Sequence, residues 1–251
     1  MEIILLGTGT AIPARQHSPA SLAIRVDDHW YLLDIGPGSL SRLELAGISY
    51  LQVDRLFLTH LHPDHTLDLA TLLLVFNYAP GAVRSTPFNI IACSGIEGFL
   101  EQLYRLYPEL IPIEYSLQLH TVFRDEFSLG RLKVRTAPTR HTPESVAYRF
   151  ELAEHSLVYS GDASATGELV ELAAGADLLI SECSFPAGWQ TEDHLNADSL
   201  GSLASEAGVK SLLVTHRYPP AMQVDLVAQI RAHYKGQVAL AVDGQRMDIG
   251  G

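Results

Sequence analysis

Six consecutive residues, His60-Leu61-His62-Pro63-Asp64-His65, place three imidazoles and a carboxylate in one short stretch. Neutral imidazoles suit Zn, Fe and Mn, and a carboxylate among them favours a hard cation that activates water. The apolar run Arg55-Leu58 reads as a strand, so the group begins at a strand end. Alternation along its extended part sets His60 and His62 on one side. A turn at Pro63 then lets Asp64 and His65 face the same space. A solvated polar loop is the bland reading of these residues, and three later positions count against it. His141 follows the apparent strand Arg131-Thr136. Asp162 ends Leu157-Val158-Tyr159-Ser160-Gly161, where Gly161 allows a sharp turn. His216 ends Leu212-Leu213-Val214-Thr215. Each sits just past a strand, where loops gather over a site. Alone, each would read as an ordinary hydrogen-bonded residue.

The elements that must position these residues are short apolar runs alternating with helical segments. Strands are expected at Glu2-Leu6, Ser21-Val26, Trp30-Asp34, Arg55-Leu58, Asn89-Ala92, Arg131-Thr136, Val146-Glu151, Ser156-Ser160, Leu178-Ser181, Ser211-Val214 and Val238-Val242. Residues 26–30 and 151–155 read as hairpin connections. Helices are expected at Gly38-Ala46, Leu67-Tyr78, Gly95-Tyr107, Gly167-Ala174, Ala197-Ala207 and Ala221-His233, with Asn196 capping the fifth and Pro219-Pro220 opening the last. Consecutive strands with helices returning between them suggest two sheets packed face to face with helices outside, a layered α/β protein. No repeat or linker divides the chain, so residues 1–251 are expected to form one domain.

Composition narrows the class. A chain with 47% hydrophobic and 18% charged residues carries enough apolar surface for a large core. The stretch Met1-Gly7 has no basic flank and is too short for a signal peptide, and no run approaches a membrane span. Cys93 and Cys183 are too few for a disulfide framework, so a soluble cytoplasmic protein is expected. The net charge of -12 argues against general nucleic-acid binding, which depends on Lys and Arg. One basic segment stands out: Arg131, Lys133, Arg135, Arg140 and Arg149 against the single acid Glu144. It reads either as an anion-receiving surface or as a solvated strand face. Gly7-Thr8-Gly9 lacks the third glycine and following helix of a dinucleotide fingerprint and reads as a tight turn beneath the site. His17 and Arg15 are candidates for its entrance. Cys183 and Ser184 have no adjacent base pattern that would make either a nucleophile.

The set HLHPDH, His141, Asp162 and His216 resembles the signature of the metallo-β-lactamase-fold hydrolases, in an order that spans almost the whole chain. Within that superfamily the chain is similar to the ribonuclease Z branch, whose members process tRNA 3′ ends, and its small phosphodiesterase relatives. The segments Leu6-Pro13, Ser18-Ile24, Leu32-Gly38, Pro138-His141, Tyr159-Asp162, Glu182-Phe185 and His194-Asn196 carry that likeness. The resemblance implies a four-layer αββα sandwich with the site at one edge of the two sheets. It further implies two divalent metal ions, Zn or else Mn or Fe. His60, His62 and His141 would hold the first and Asp64, His65 and His216 the second, with Asp162 bridging.

That ligand set implies hydrolysis by a water activated between two cations. Asp64 would ligate metal and orient or deprotonate the water. His194 would protonate the leaving oxygen as general acid, with Glu182 orienting it. The expected substrate is a small phosphodiester or a single-stranded nucleic-acid end. Ester, thioester or lactone hydrolysis on the same metals is the alternative. A non-catalytic scaffold ranks lower, because all seven ligands are present. Bacterial ribonuclease Z enzymes usually insert a long arm that grips tRNA beyond the histidine matching His141. Here only 20 residues lie between His141 and Asp162, so precursor tRNA is the weaker candidate. The branch also implies a homodimer as an option.

Overall fold

The structure is a computed structural model that describes residues 1–81 and 83–250. Among the described residues, fourteen strands form two seven-stranded sheets. The first contains β1 (Glu2–Gly7), β2 (Ser21–Val26), β3 (His29–Leu33), β4 (Val53–Leu58), β5 (Phe88–Ala92), β6 (Leu117–Thr121) and β14 (Arg246–Asp248), in the order β14-β1-β2-β3-β4-β5-β6. The second contains β7 (Glu126–Leu129), β8 (Leu132–Pro138), β9 (Val146–Leu152), β10 (His155–Tyr159), β11 (Leu178–Glu182), β12 (Ser211–Thr215) and β13 (Gln237–Leu240), in the order β13-β12-β11-β10-β9-β8-β7. Strands β3 to β6 run parallel, as do β10 to β13, and antiparallel hairpins complete each sheet. The helices are α1 (Ser39–Leu45), α2 (Pro63–Thr66), α3 (Asp68–Tyr78), α4 (Ile96–Leu106), α5 (Gly167–Ala173), α6 (Ala197–Glu206), α7 (Pro219–Met222) and α8 (Leu226–Arg231).

The apolar runs are continuous because many strands are buried on both faces. In β1, Ile3 and Leu5 point between the sheets toward Tyr148, Phe150 and Leu213. Ile4 and Leu6 point outward to the layer of α1, α3 and α4, packing with Leu43, Leu72, Phe76 and Leu100. On the other side, Leu169, Leu200, Leu226 and Ile230 of α5, α6 and α8 cover Val158, Leu179 and Val214. Three apolar layers between four layers of elements make the αββα sandwich. Burying one such Leu or Phe contributes about 1.5–3 kcal/mol.

The expected hairpins form with registers Val26↔His29 and Leu152↔His155. The Asn196 cap is present as a reciprocal box: Asn196 Oδ1 accepts from Ser199 N at 2.8 Å and Ser199 Oγ accepts from Asn196 N at 3.0 Å. Two expectations need correction. The helix read over Ala221-His233 is two pieces, because the Asp225 side chain accepts from Ala228 N at 2.9 Å and caps a new start there. Strands β6, β7 and β14 add to the expected set. All three are short, half-exposed edge strands held by register with β5, β8 and β1, and each carries no more than two apolar residues on its inner face.

Candidate active site

Strands β3, β4, β8, β10, β11 and β12 all end at one edge of the sandwich, and each releases a polar residue there. After β4, His60 continues the extended chain, and His62 is the N-cap of α2 with Pro63 at its first position. This turn brings Asp64 and His65 into the same space. After β10, Gly161 adopts φ 56°, and a Cβ there would lie 2.6 Å from Thr59. Only glycine therefore lets the chain pass Thr59 and present Asp162. After β12, His216 sits at φ 48° and its N–H donates to Thr8 O at 2.9 Å, which ties its loop to the turn following β1. Left-handed backbone at a non-glycine residue costs on the order of 1 kcal/mol and persists where the surroundings enforce it.

The structure brings all seven sequence-predicted metal candidates together. Ligand atoms of His60, His62, His141 and Asp162 lie within 4.8 Å of one another, as do those of Asp64, His65 and His216. Asp162 stands between the groups. Its Oδ2 is 3.8 Å from His60 Nε2 and 3.6 Å from His141 Nε2, and its Oδ1 is 3.4 Å from both His65 Nε2 and His216 Nε2. His62 Nδ1 and His141 Nε2 are 3.0 Å apart, near the ~3.3 Å that two nitrogens on one tetrahedral zinc would keep. His60 Nε2, His65 Nε2 and Asp162 Oδ1 are buried with no hydrogen-bond partner. Polar atoms buried without a partner are costly, and a divalent cation between them is the partner their chemistry fits.

The far nitrogens are tied down, which fixes how the rings point. His65 Nδ1–H donates to Asp34 Oδ2 at 2.7 Å, and His141 Nδ1–H donates to Asp193 O at 2.9 Å. Burial and the neighbouring His65 push the His60 pKa well down, leaving a neutral imidazole suited to ligation. Burial works against the Asp162 charge, but His216 and His65 outweigh it and hold the carboxylate well below the usual range. Asp64 is likewise lowered, burial being offset by His216 and His65.

His194 and Glu182 also meet here. His194 Nδ1–H donates to Glu182 Oε1 at 2.9 Å, leaving Nε2 free, and the His194 ring lies 4.6 Å from that of His141. Burial opposes its charge, but the Glu182 hydrogen bond and charge prevail and raise its pKa to about 9. Ligand atoms of His194 also fall within 4.8 Å of Asp162 and His216. Glu182 is fully buried and further accepts from Ala163 N at 2.6 Å and Ser184 Oγ at 2.5 Å.

Sequence reasoning missed three contributors. Asp34, at the end of β3, accepts from Thr59 N, Thr59 Oγ1, His65 Nδ1 and Tyr159 OH, so one buried carboxylate links both sheets beneath the metal candidates. Nothing in its local sequence marks it beyond its place at a strand end. Ser184 Oγ, set aside as a nucleophile, donates to Glu182 and lies 3.2 Å from His194 Nδ1, so it positions other groups. Asp243 accepts from Thr8 Oγ1 at 2.7 Å and Ser18 N at 2.7 Å, fixing the loop that carries His17. His17 and Asp64 line a cavity of about 510 Å³ beside the site, together with Thr10, Pro13, Pro37 and Leu67.

Of the two readings of the basic segment, the ion pairs favour the solvated strand face over the anion-receiving surface. Arg131 pairs with Asp27, Lys133 and Arg135 with Glu126, Arg140 with Glu168, and Arg149 with Glu151. The acids come from elsewhere in the chain, which a count confined to residues 131–149 could not include. Both thiols are buried, and burial raises the Cys93 pKa to about 12, in keeping with no nucleophilic role.

Residues 15–204 match the Metallo-beta-lactamase superfamily. The chain is 30% identical to a ribonuclease Z of Mycobacterium sp. (strain KMS), over 99% of this chain and 96% of that protein. A ribonuclease Z of Methanothermobacter thermautotrophicus is 26% identical over 86% of each chain. In fold it is similar to the metallo-beta-lactamase fold protein YhfI of Bacillus subtilis (TM-score 0.84, 24% identity, 98% of each chain). It is also similar to the short form of human tRNase Z (TM-score 0.80, 22% identity, 99% of each chain). With these matches and the His/Asp cluster at the sandwich edge, the chain belongs to the metallo-β-lactamase superfamily, in its ribonuclease Z-like branch of metal-dependent phosphodiesterases.

Proposed function

We propose that residues 1–251 act as one two-metal unit hydrolysing small or single-stranded phosphodiesters. In this reading His60, His62 and His141 hold one divalent ion, Asp64, His65 and His216 hold the other, and Asp162 spans both. Zinc suits the imidazole-rich set, with manganese or iron as substitutes. The observation that carries the reading is Asp162, whose two oxygens face the two separate donor groups. When bound, such ions supply Lewis acidity and bring the pKa of a coordinated water to about 7.

The chain's own residues do the rest. Asp64 remains ionised, because His216 and His65 beside it outweigh its burial. Its free lone pairs can orient the attacking water and take up its proton. His194 presents Nε2 to the leaving oxygen and donates the proton there, while Glu182 holds Nδ1. This acid matters most for an alkoxide leaving group, as in an alkyl phosphodiester, and least for the thiolate of a thioester.

The relatives named ribonuclease Z support an RNA end as the natural substrate class. Precursor tRNA fits less well. The His141–Asp162 interval is filled by β9 and β10, which leaves no arm. The five basic residues are paired, and the net charge is -12. A homodimer sharing substrate-binding surface is compatible with this reading. A cytoplasmic location is supported by two buried free cysteines. Among the described residues no helix is long and apolar enough to cross a membrane.

A turnover panel tests the proposal: a model phosphodiester, a lactone, a thioester and a precursor tRNA, each with zinc or manganese supplied. The diester should have the highest kcat/KM and lose little of it between low and near-physiological salt. Preference for the lactone or thioester would move the enzyme to the alternative class. A large tRNA advantage that collapses with salt would reveal phosphate contacts beyond those described.

A further inference from the structure

Beside His194 lies a row of parallel aromatic rings that the hydrolytic chemistry does not use. Phe185 stacks on Trp189 with centroids 5.0 Å apart and planes 3° from parallel. It stacks on Tyr218 at 5.5 Å and 10°. The row reaches the site, because the His194 ring is 6.0 Å from Phe185 and 5.8 Å from Tyr218, and Tyr218 is 5.7 Å from His216. At the other end Trp189 is 43% exposed.

An exposed tryptophan on a loose loop would mean little, but this turn is held. Trp189 O accepts from Asn196 Nδ2 at 2.8 Å, Gly188 N donates to Asp198 Oδ2 at 2.8 Å, and Ala187 N donates to Gln229 Oε1 at 2.8 Å. The anchors come from the start of α6 and from α8, elements that pack on each other. Phe185 is fixed in turn, its N–H donating to Leu195 O and its carbonyl accepting from Ala197 N. A preorganised aromatic row ending in an exposed face, next to a group that protonates leaving oxygens, matches the way proteins grip unpaired bases. Every base offers a π-face, so such a grip is tolerant of sequence.

We propose that Trp189, Phe185 and Tyr218 form a stacking platform for one nucleobase attached to the scissile phosphodiester. This rests on the phosphodiesterase reading above and adds a base-holding subsite to it. Trp189 provides the accessible ring, Phe185 and Tyr218 hold it parallel, and the base lies at the outer end of the row whose inner members touch His194.

The test compares the metal-loaded wild type with Trp189→Ala on thymidylyl-thymidine and on its two analogues lacking one base. In the wild type, removing the base on one side should lower kcat/KM by about 5- to 150-fold, the range for one stacked base. In Trp189→Ala that penalty should vanish. Turnover indifferent to the bases, or a penalty of the same size in Trp189→Ala, would overturn the proposal while leaving the phosphodiesterase reading intact. A second readout needs no turnover. The other tryptophan, Trp30, is buried, so thymidine 5′-monophosphate should quench wild-type fluorescence, and ribose 5-phosphate should not. Trp189→Phe should lose the response. If no diester is cleaved yet this base-dependent quenching occurs, the platform stands and the phosphodiesterase reading falls. If neither cleavage nor quenching is seen, both fall.

Discussion

Replacing Glu182 by Gln removes a charge from beneath His194 while nearly preserving its shape. In the structure Glu182 Oε1 accepts from His194 Nδ1 at 2.9 Å, and the His194 side chain is only 11% exposed. Burial alone would depress the His194 pKa, and the Glu182 bond and charge lead the contributions that lift it from 6.5 to about 9. That lift corresponds to about 3 kcal/mol in favour of the protonated ring. Bound cations would neutralise the smaller contribution of Asp162 but not that of Glu182. With the charge gone, burial should return His194 to 6.5 or lower. A general acid must be protonated to work, so activity falls as pH rises through its pKa. At pH 8 the wild-type ring is about 90% protonated and the variant about 3%, a loss of about 30-fold. At pH 6 the variant is still about three-quarters protonated, and the gap nearly closes. The assay is kcat against pH on an alkyl phosphodiester, with metal content checked in both proteins. A loss of equal size at pH 6 and pH 8 would refute the reasoning and leave Glu182 a purely structural role through Ala163 and Ser184.

Other expectations follow from the same geometry. His194→Ala should keep its metals yet lose about 10²–10⁴ in kcat on an alkyl diester, and far less on a nitrophenyl diester whose leaving group needs no proton. Equal losses on both, measured side by side, would mean that His194 binds substrate instead. Asp34→Asn takes a charged acceptor from His65 Nδ1–H and should weaken metal affinity at that ring by about 10- to 100-fold, read by competition with a chelator. Unchanged affinity would show that Thr59 and Tyr159 suffice to hold the ring.

Much of the site was legible because its residues announce themselves locally. HLHPDH is a compact signal, Asp162 and His216 each end an apolar run that reads as a strand, and His141 follows the alternating strand Arg131-Thr136. The element order suggests two sheets with helices outside, and the family likeness makes this the four-layer αββα sandwich, in which continuous runs such as Ile3-Leu6 are buried on both faces. What stayed hidden depends on distant partners. Asp34 matters because Tyr159 and His65 reach it from 125 and 31 residues away. The segment from Arg131 to Arg149 seemed free because its counter-charges, Asp27, Glu126, Glu168 and Glu151, lie outside it. Edge strands β6, β7 and β14 have only one or two apolar residues on a face, too few to stand out, and the break at Asp225 rests on one capping bond.

The central claim is a two-metal site spanned by Asp162, and metal stoichiometry tests it most directly. Wild-type protein stripped by chelator, reloaded with zinc or manganese and desalted should hold close to two equivalents per chain by elemental analysis. Phosphodiesterase activity should return in proportion to that loading. His62→Ala should retain about one equivalent, and Asp162→Ala should hold both ions weakly. Stoichiometry near zero after reloading, or diester turnover that persists in the stripped protein, would contradict the account.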